Sequence, residues 1–175
     1  LLKALVSFYN NEIPWALSQF KALRSSTTKL IANDAMSYSI LIEENIDQDS
    51  TYNGLRLFAN AEKEIEYNNL SLSKQYLDSI NTSYLYHPLF DEVLILRAKI
   101  SILEKEFEQA KEYLKESLKK YPYELTADDA LYILSDIYLN QTKEISLAKE
   151  TLEKIIIDYP NSIYVIEARK LLSEL

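Results

Sequence analysis

The sequence predicts an all-α protein: about ten helices, paired as antiparallel hairpins and stacked as an α-solenoid. Three observations predict it. Gly occurs once and Pro four times in 175 residues, against roughly 12% for the two together in ordinary chains. Sheets and barrels need many tight turns with φ > 0, and only Gly54 takes that geometry at no steric cost. The chain also repeats itself. Leu57, Leu94 and Leu131 stand 37 apart, as do Ala61, Ala98 and Ser135; Ser73, Ala110 and Ala148 follow at 37 and 38, and Leu77, Leu114 and Leu152 at the same intervals. Finally, Tyr121-Pro122 and Tyr159-Pro160 recur as stops, because a residue before Pro is pushed out of the α region.

The elements follow in order. Residues 1–9 and 12–25 read as two helices, with Ile13, Ala16, Phe20 and Leu23 as the buried side of the second. The stretch 29–46 reads as a third, in which "ANDAMSYSILI" at 32–42 echoes "ADDALYILSDI" at 127–137 without a second helix after it. Residues 1–46 are therefore degenerate or partial repeats. From 51 to 160 come three complete units, with helices at 51–68 and 70–82, 89–104 and 106–121, 126–140 and 144–158. Each places a large apolar residue and then a small one on helix A, and a small one and then a large one on helix B. That is hairpin packing: small side chains let two helices approach, and large ones fill the groove beside them. Thr126 with Asp129 approximates a capping box, and Asn161 or Ser162 is placed to cap the last helix. That helix, within 161–175, should act as a terminal cap, since Ile163, Ile166, Ala168, Leu171 and Leu172 give it an apolar side. No linker interrupts the pattern, so one continuous solenoid is expected. Because the chain starts at Leu1 within an amphipathic pattern, a segment of a longer protein is expected as well.

This pattern resembles the tetratricopeptide repeat, a helix hairpin of about 34 residues. The third unit supplies Leu131, Ser135, Tyr138, Ala148, Leu152, Ile155 and Pro160; the second, Leu94, Ala98, Phe107, Ala110, Leu114, Ser117 and Pro122; the first, Leu57, Ala61, Leu70, Ser73, Leu77 and Ile80. Departures are Glu64 and Ser101 where the family has an aromatic, and Asn60 and Arg97 where it has Leu. The ending "DYPNSIYVIEARKLL" at 158–172 is similar to repeat proteins of the bacterial cell envelope, including outer-membrane assembly lipoproteins and Tol-Pal associated coordinators. That likeness favours a periplasmic or cell-envelope location over the cytoplasm, and a place in a larger envelope complex.

Composition excludes several chemistries. One glycine removes the dinucleotide and phosphate-loop fingerprints. Without Cys, and with His87 as the single histidine, disulfides, thiolate metal sites and multi-histidine centres are absent. His87, before Pro88, reads as a loop or packing residue. The third acid of a DDxxD motif is missing after Asp128-Asp129, because Tyr132 stands there; the pair suits a helix N-terminus instead. Glu62, Glu64 and Glu66 diverge along one helix and form no acid-base pair. No enzyme and no cofactor are expected.

The net charge is −8, and residues 61–175 hold 14 basic and 21 acidic side chains, which disfavours nucleic acid. Lys111, Lys115, Lys119 and Lys120 are matched by Glu108, Glu112 and Glu116 and read as a solvated face. Fourteen tyrosines, among them Tyr76, Tyr113, Tyr121 and Tyr159, read as packing between hairpins. Apolar runs reach about four residues, as at Val93 to Leu96, where a membrane helix needs about 20.

A protein or peptide partner remains. The resemblance implies a concave surface lined by helix A positions, which carry over as three ladders: Phe58, Ile95 and Tyr132; Glu62, Lys99 and Asp136; Ile65, Ile102 and Leu139. The family's Lys and Asn clamp for a C-terminal carboxylate is absent. A non-catalytic interaction scaffold is the leading reading. The alternative is a structural spacer of a larger envelope protein, touching its own chain or copies of itself.

Overall fold

The computed structural model describes residues 1–25, 28–46, 51–83 and 89–175. These residues form ten α-helices and no strand: α1 (Leu2–Tyr9), α2 (Ile13–Leu23), α3 (Lys29–Glu44), α4 (Asn53–Glu66), α5 (Leu70–Ser83), α6 (Phe90–Leu103), α7 (Phe107–Lys120), α8 (Ala127–Asp136), α9 (Ile145–Asp158) and α10 (Val165–Glu174), with a π-helical turn at Ile137–Gln141 continuing α8. The all-α helical-repeat class expected from composition and period is the one observed. His87 and Pro88 lie outside the described residues.

The chain divides into two compact units, Leu1–Val93 and Leu94–Leu175, the division falling inside α6. In the first unit α1 packs on α2, α2 on α3, α4 on α5, and α1 also on α4. Phe8, Ile13, Phe20, Ile42, Leu55, Leu77 and Ile80 are fully buried there. In the second, Ile95, Ala98, Leu114, Leu131, Leu134, Ile137, Tyr138, Leu152 and Ile155 form one core, which Val165 and Ala168 of α10 complete. The small positions behave as close-approach points: Ala4, Ala16, Ala61, Ser73, Ala98, Ala110, Ser135 and Ala148 are each at most 1% exposed. At one of them the approach is close enough for the Ser73 hydroxyl to donate to the Ala61 carbonyl at 2.8 Å.

One turn recurs at four hairpins. Asn11, Asn68, Lys105 and Lys143 all have positive φ, from 59° to 64°. In the first three, the N–H of the left-handed residue bonds the carbonyl three back, and the next N–H bonds the carbonyl five back: Glu12 to Ser7, Asn69 to Glu64, Glu106 to Ser101. This is the helix-ending motif in which a left-handed residue returns two donors to orphan carbonyls. It places α1 and α2 in the same register as the later hairpins, with Ala4 and Ala16 at the small positions.

The fourth turn differs by one residue. Thr142 N–H reaches the Ile137 carbonyl and Glu144 N–H reaches Tyr138, six residues back. Spacing from Ala110 to Ala148 is 38, where Ser73 to Ala110 is 37. The π-helical turn is where that extra residue is absorbed, so the expected α-helix over 126–140 is instead α8 plus a wider turn.

Three further local expectations need correction. Thr126 occupies the N-cap of α8 without a side-chain cap hydrogen bond, and Asp129 accepts a hydrogen bond from the Tyr164 hydroxyl. Lys111 is not on a solvated face: its side chain is buried, with Nζ 2.6 Å from Glu144, 2.8 Å from Glu108 and 5.5 Å above the Tyr138 ring. Val165 and Ala168 of α10 face the core, whereas Ile163, which precedes the helix, and Ile166, about 200° around it from Ala168, are exposed rather than inward.

Candidate functional site

In the first unit, the three sequence-derived positions lie along α4. Phe58 is core, 4% exposed. Glu62, one turn on, accepts a hydrogen bond of 2.7 Å from the Tyr38 hydroxyl of α3. Tyr38 is itself clasped by aromatic rings, stacked on Phe20 at 4.9 Å and edge-on to Phe8 at 5.5 Å. Burial, and then the Glu62 charge, push the Tyr38 hydroxyl well above its ordinary range, and Tyr9 rises for the same two reasons. Tyr38 thus stays a neutral donor to a carboxylate, a polar tie between α3 and α4 rather than an acid-base pair. Ile65 is half-buried.

Two of the departures from the family pattern, Glu64 and Asn60, have local partners. Glu64, buried near the end of α4, accepts from the Asn69 side chain at 2.8 Å across the turn. Asn60 accepts from Asn11 at 3.2 Å and from Lys63 at 3.3 Å. At the position equivalent to Glu64 in the first hairpin, Ser7 accepts from Gln19 at 2.9 Å. Polar closure of the hairpin takes the place of an aromatic plug.

The second unit holds the other six positions. Ile95 and Leu139 are core, 6% and 9% exposed, and Ile102 packs against that core from its edge. Lys99 and Asp136 are exposed; Asp136 accepts from Asn140 at 2.6 Å, within the π-helical turn. Tyr132 is half-buried because Tyr164, just before α10, stacks on it at 4.2 Å with the planes 11° apart. The Tyr164 hydroxyl donates to Asp129 at 2.5 Å, and burial followed by this carboxylate raises it far above its usual range. So the helix A face of this unit has an apolar floor, a stacked tyrosine pair, and a cation and an anion at equivalent positions 37 residues apart.

Sequence reasoning did not single out Tyr164, although its stacking decides how much of Tyr132 meets solvent. The signal was weak: an aromatic in the loop before a helix is common, and only the register places it over Tyr132. Tyr123 and Leu125, exposed in the loop between α7 and α8, were also missed.

Among the described residues, no group of three or more His, Cys, Asp or Glu side chains is placed to hold a metal ion. Among the same residues no helix is long and apolar enough to cross a membrane. Compared with known protein families, residues 51–175 match the YfiO family, described as outer membrane lipoprotein. No curated protein and no solved structure matches the chain.

Proposed function

Because the chain belongs to the YfiO family of outer membrane lipoproteins, we propose that it is a non-catalytic protein-interaction scaffold of the bacterial cell envelope, working on the periplasmic side. The hairpins are of the tetratricopeptide type in this reading, and the partner is a protein or peptide within a larger envelope complex. The observation that carries the proposal is the helix A face of the second unit: Lys99 and Asp136 stand exposed beside Ile102 and the half-buried Tyr132. Repeat hairpins present such faces on a rigid frame, which reduces the ordering cost of binding. Ile95 and Leu139 form the floor in this reading, supporting the contact residues from within the core of the second unit, and Phe58 holds the corresponding place in the core of the first. Glu62 and Ile65 hold the equivalent places on α4.

The stack of Tyr164 on Tyr132 favours a second reading, in which the face is covered by the chain's own next segment and the protein serves as a spacer. A photo-cross-linking residue at Lys99 or Asp136, in envelopes of the producing bacterium, separates the two. The scaffold reading expects one discrete protein adduct from both positions and none from a probe at Glu153 on the exposed side of α9. Adducts only within the chain, or only with copies of itself, would support the spacer.

A further inference from the structure

Two loops of the second unit are tied side by side. The Tyr159 hydroxyl, at the start of the α9 to α10 loop, donates to the Pro122 carbonyl in the α7 to α8 loop at 2.6 Å. Tyr164, at the far end of the same loop, donates to Asp129 at the start of α8. What the pair of loops leaves outside is apolar: Tyr123 is 96% exposed, and Leu125 and Ile163, equivalent positions 38 apart, are exposed with it. The core of the unit does not include these three side chains, and exposed apolar groups gathered on two tied loops mark contact sites more often than scattered ones do.

Charge says what the contact is. Residues 121–130 and 156–168 contain five carboxylates, Glu124, Asp128, Asp129, Asp158 and Glu167, and no Lys, Arg or His. Asp129 is taken by Tyr164, and Glu167 lies 3.4 Å from Lys170. Glu124 and Asp158 are exposed and have no ion pair among the described residues. The acids of both loops act on the same hydroxyls: after burial, Asp158 and Asp128 raise Tyr159, and Asp129 and Asp128 raise Tyr164. The carboxylates of the two loops therefore converge on the tied hydroxyls beside the apolar fringe, with Lys119, Lys120 and Arg169 flanking the two stretches; an acidic edge of this kind favours Lys and Arg over anionic lipid headgroups.

We propose that this paired-loop edge docks a cationic, apolar-rich segment of a partner protein, its apolar side chains on Tyr123, Leu125 and Ile163 and its Lys or Arg side chains on Glu124 and Asp158. The proposal rests on the scaffold reading but uses a surface other than the helix A face, so the two fail separately. Exposed tyrosine suits the role, since it offers a large rigid contact for few torsions. The loop ties hold the fringe in place before the partner arrives.

The test uses two synthetic peptides, Lys-Tyr-Lys-Leu repeated three times and the same peptide with Glu for Lys, titrated into the 175-residue chain with amide-shift mapping and calorimetry. The lysine peptide should bind, with shifts confined to 121–130 and 156–168, and weaken about threefold or more between low and physiological salt. Glu124→Lys with Asp158→Lys should weaken it about tenfold, and Tyr123→Ser with Leu125→Ser about fivefold or more. All four side chains are exposed, so melting temperatures should hold. Equal binding of the glutamate peptide, or no binding of either, overturns the proposal. Shifts centred on Lys99, Tyr132 and Asp136 overturn it while leaving the scaffold reading standing. Adsorption to phosphatidylcholine vesicles that depends on Tyr123 and Leu125 would make the edge a lipid contact and overturn it too.

Discussion

Deleting Asn140 should be tolerated, although it removes a residue from within a helical element. A single deletion inside an α-helix rotates everything beyond it by about 100°, which normally turns a buried stripe away from its core. Here the π-helical turn Ile137–Gln141 already carries one residue more than the other hairpins. Its removal lets the turn revert to α geometry and returns the spacing from Ala110 to the residue now numbered Ala148 to the 37 of its neighbour. What is lost is the exposed bond from Asn140 to Asp136, on the order of 0.5 kcal/mol; what is gained is a regular turn in place of a rare one. The net change should lie within about 1 kcal/mol, or roughly 2 to 4 °C in melting temperature for a chain of this size. Leu103 holds the equivalent position in α6, where no wide turn exists, and it too is exposed. Deleting Leu103 should displace Phe107 and Leu114 relative to Ile95 and Ala98, at about 3 kcal/mol or more, taking ~1.5 to 3 per large buried side chain. Both variants would be followed by thermal and urea unfolding. Equal and severe destabilisation by the two deletions would refute the idea that the π-helical turn is an accommodated insertion.

Lys105→Gly and Lys143→Gly should each leave stability unchanged or raise it by up to about 1 kcal/mol, because both lysines sit at positive φ where Cβ clashes with the carbonyl; urea midpoints would show it. Removing 161–175 should cost several kcal/mol and produce self-association, since Val165, Ala168, Leu171 and Leu172 cover the core of the second unit; a monodisperse product with an unchanged melt would contradict this. In the first unit, Glu92 has a buried Oε2 without a hydrogen-bond partner among the described residues. Burial first, then the hydrogen bond and charge of Asp91, with Glu44 adding, raise it from 4.5 to about 10. A carboxyl raised on folding binds its proton more tightly when native, so its contribution is complete below pH 4.5 and falls as pH rises toward about 10. Glu92→Gln should therefore flatten that decline and raise the melting temperature at pH 8, while changing little at pH 4.

Much of the fold was legible because packing of hairpins imposes residue size at fixed spacing. The 37-residue step, the small positions and the Tyr-Pro stops all translate directly into α4 to α9. The same arithmetic contained the π-helical turn, since 38 in place of 37 requires an extra residue somewhere, but spacing cannot say whether a helix or a loop absorbs it. The resemblance to the repeat family implied the helix A ladders without saying which members stay exposed. Large apolar residues at such positions either line a groove or plug a core, and Phe58, Ile95 and Leu139 are buried by neighbours whose tilt and packing no periodicity encodes. Lys111 was read by charge pattern alone, which missed that Tyr138 and Glu144 converge on it from outside its own helix. Ile163 lies before α10 begins at Val165, and Ile166 stands two residues, about 200° of helix, from Ala168, so neither shares the buried side expected of it.

The central claim, that the helix A face of the second unit holds a protein partner, is tested most directly by one affinity measured beside one stability. Lys99 is exposed, so Lys99→Glu should leave the melting temperature within a degree or two, in line with surface substitutions generally. Against the protein cross-linked at Lys99, purified and titrated calorimetrically, the same variant should bind about tenfold more weakly and lose the salt dependence of the parent. Affinity and salt dependence both unchanged, with the fold intact, would contradict the account.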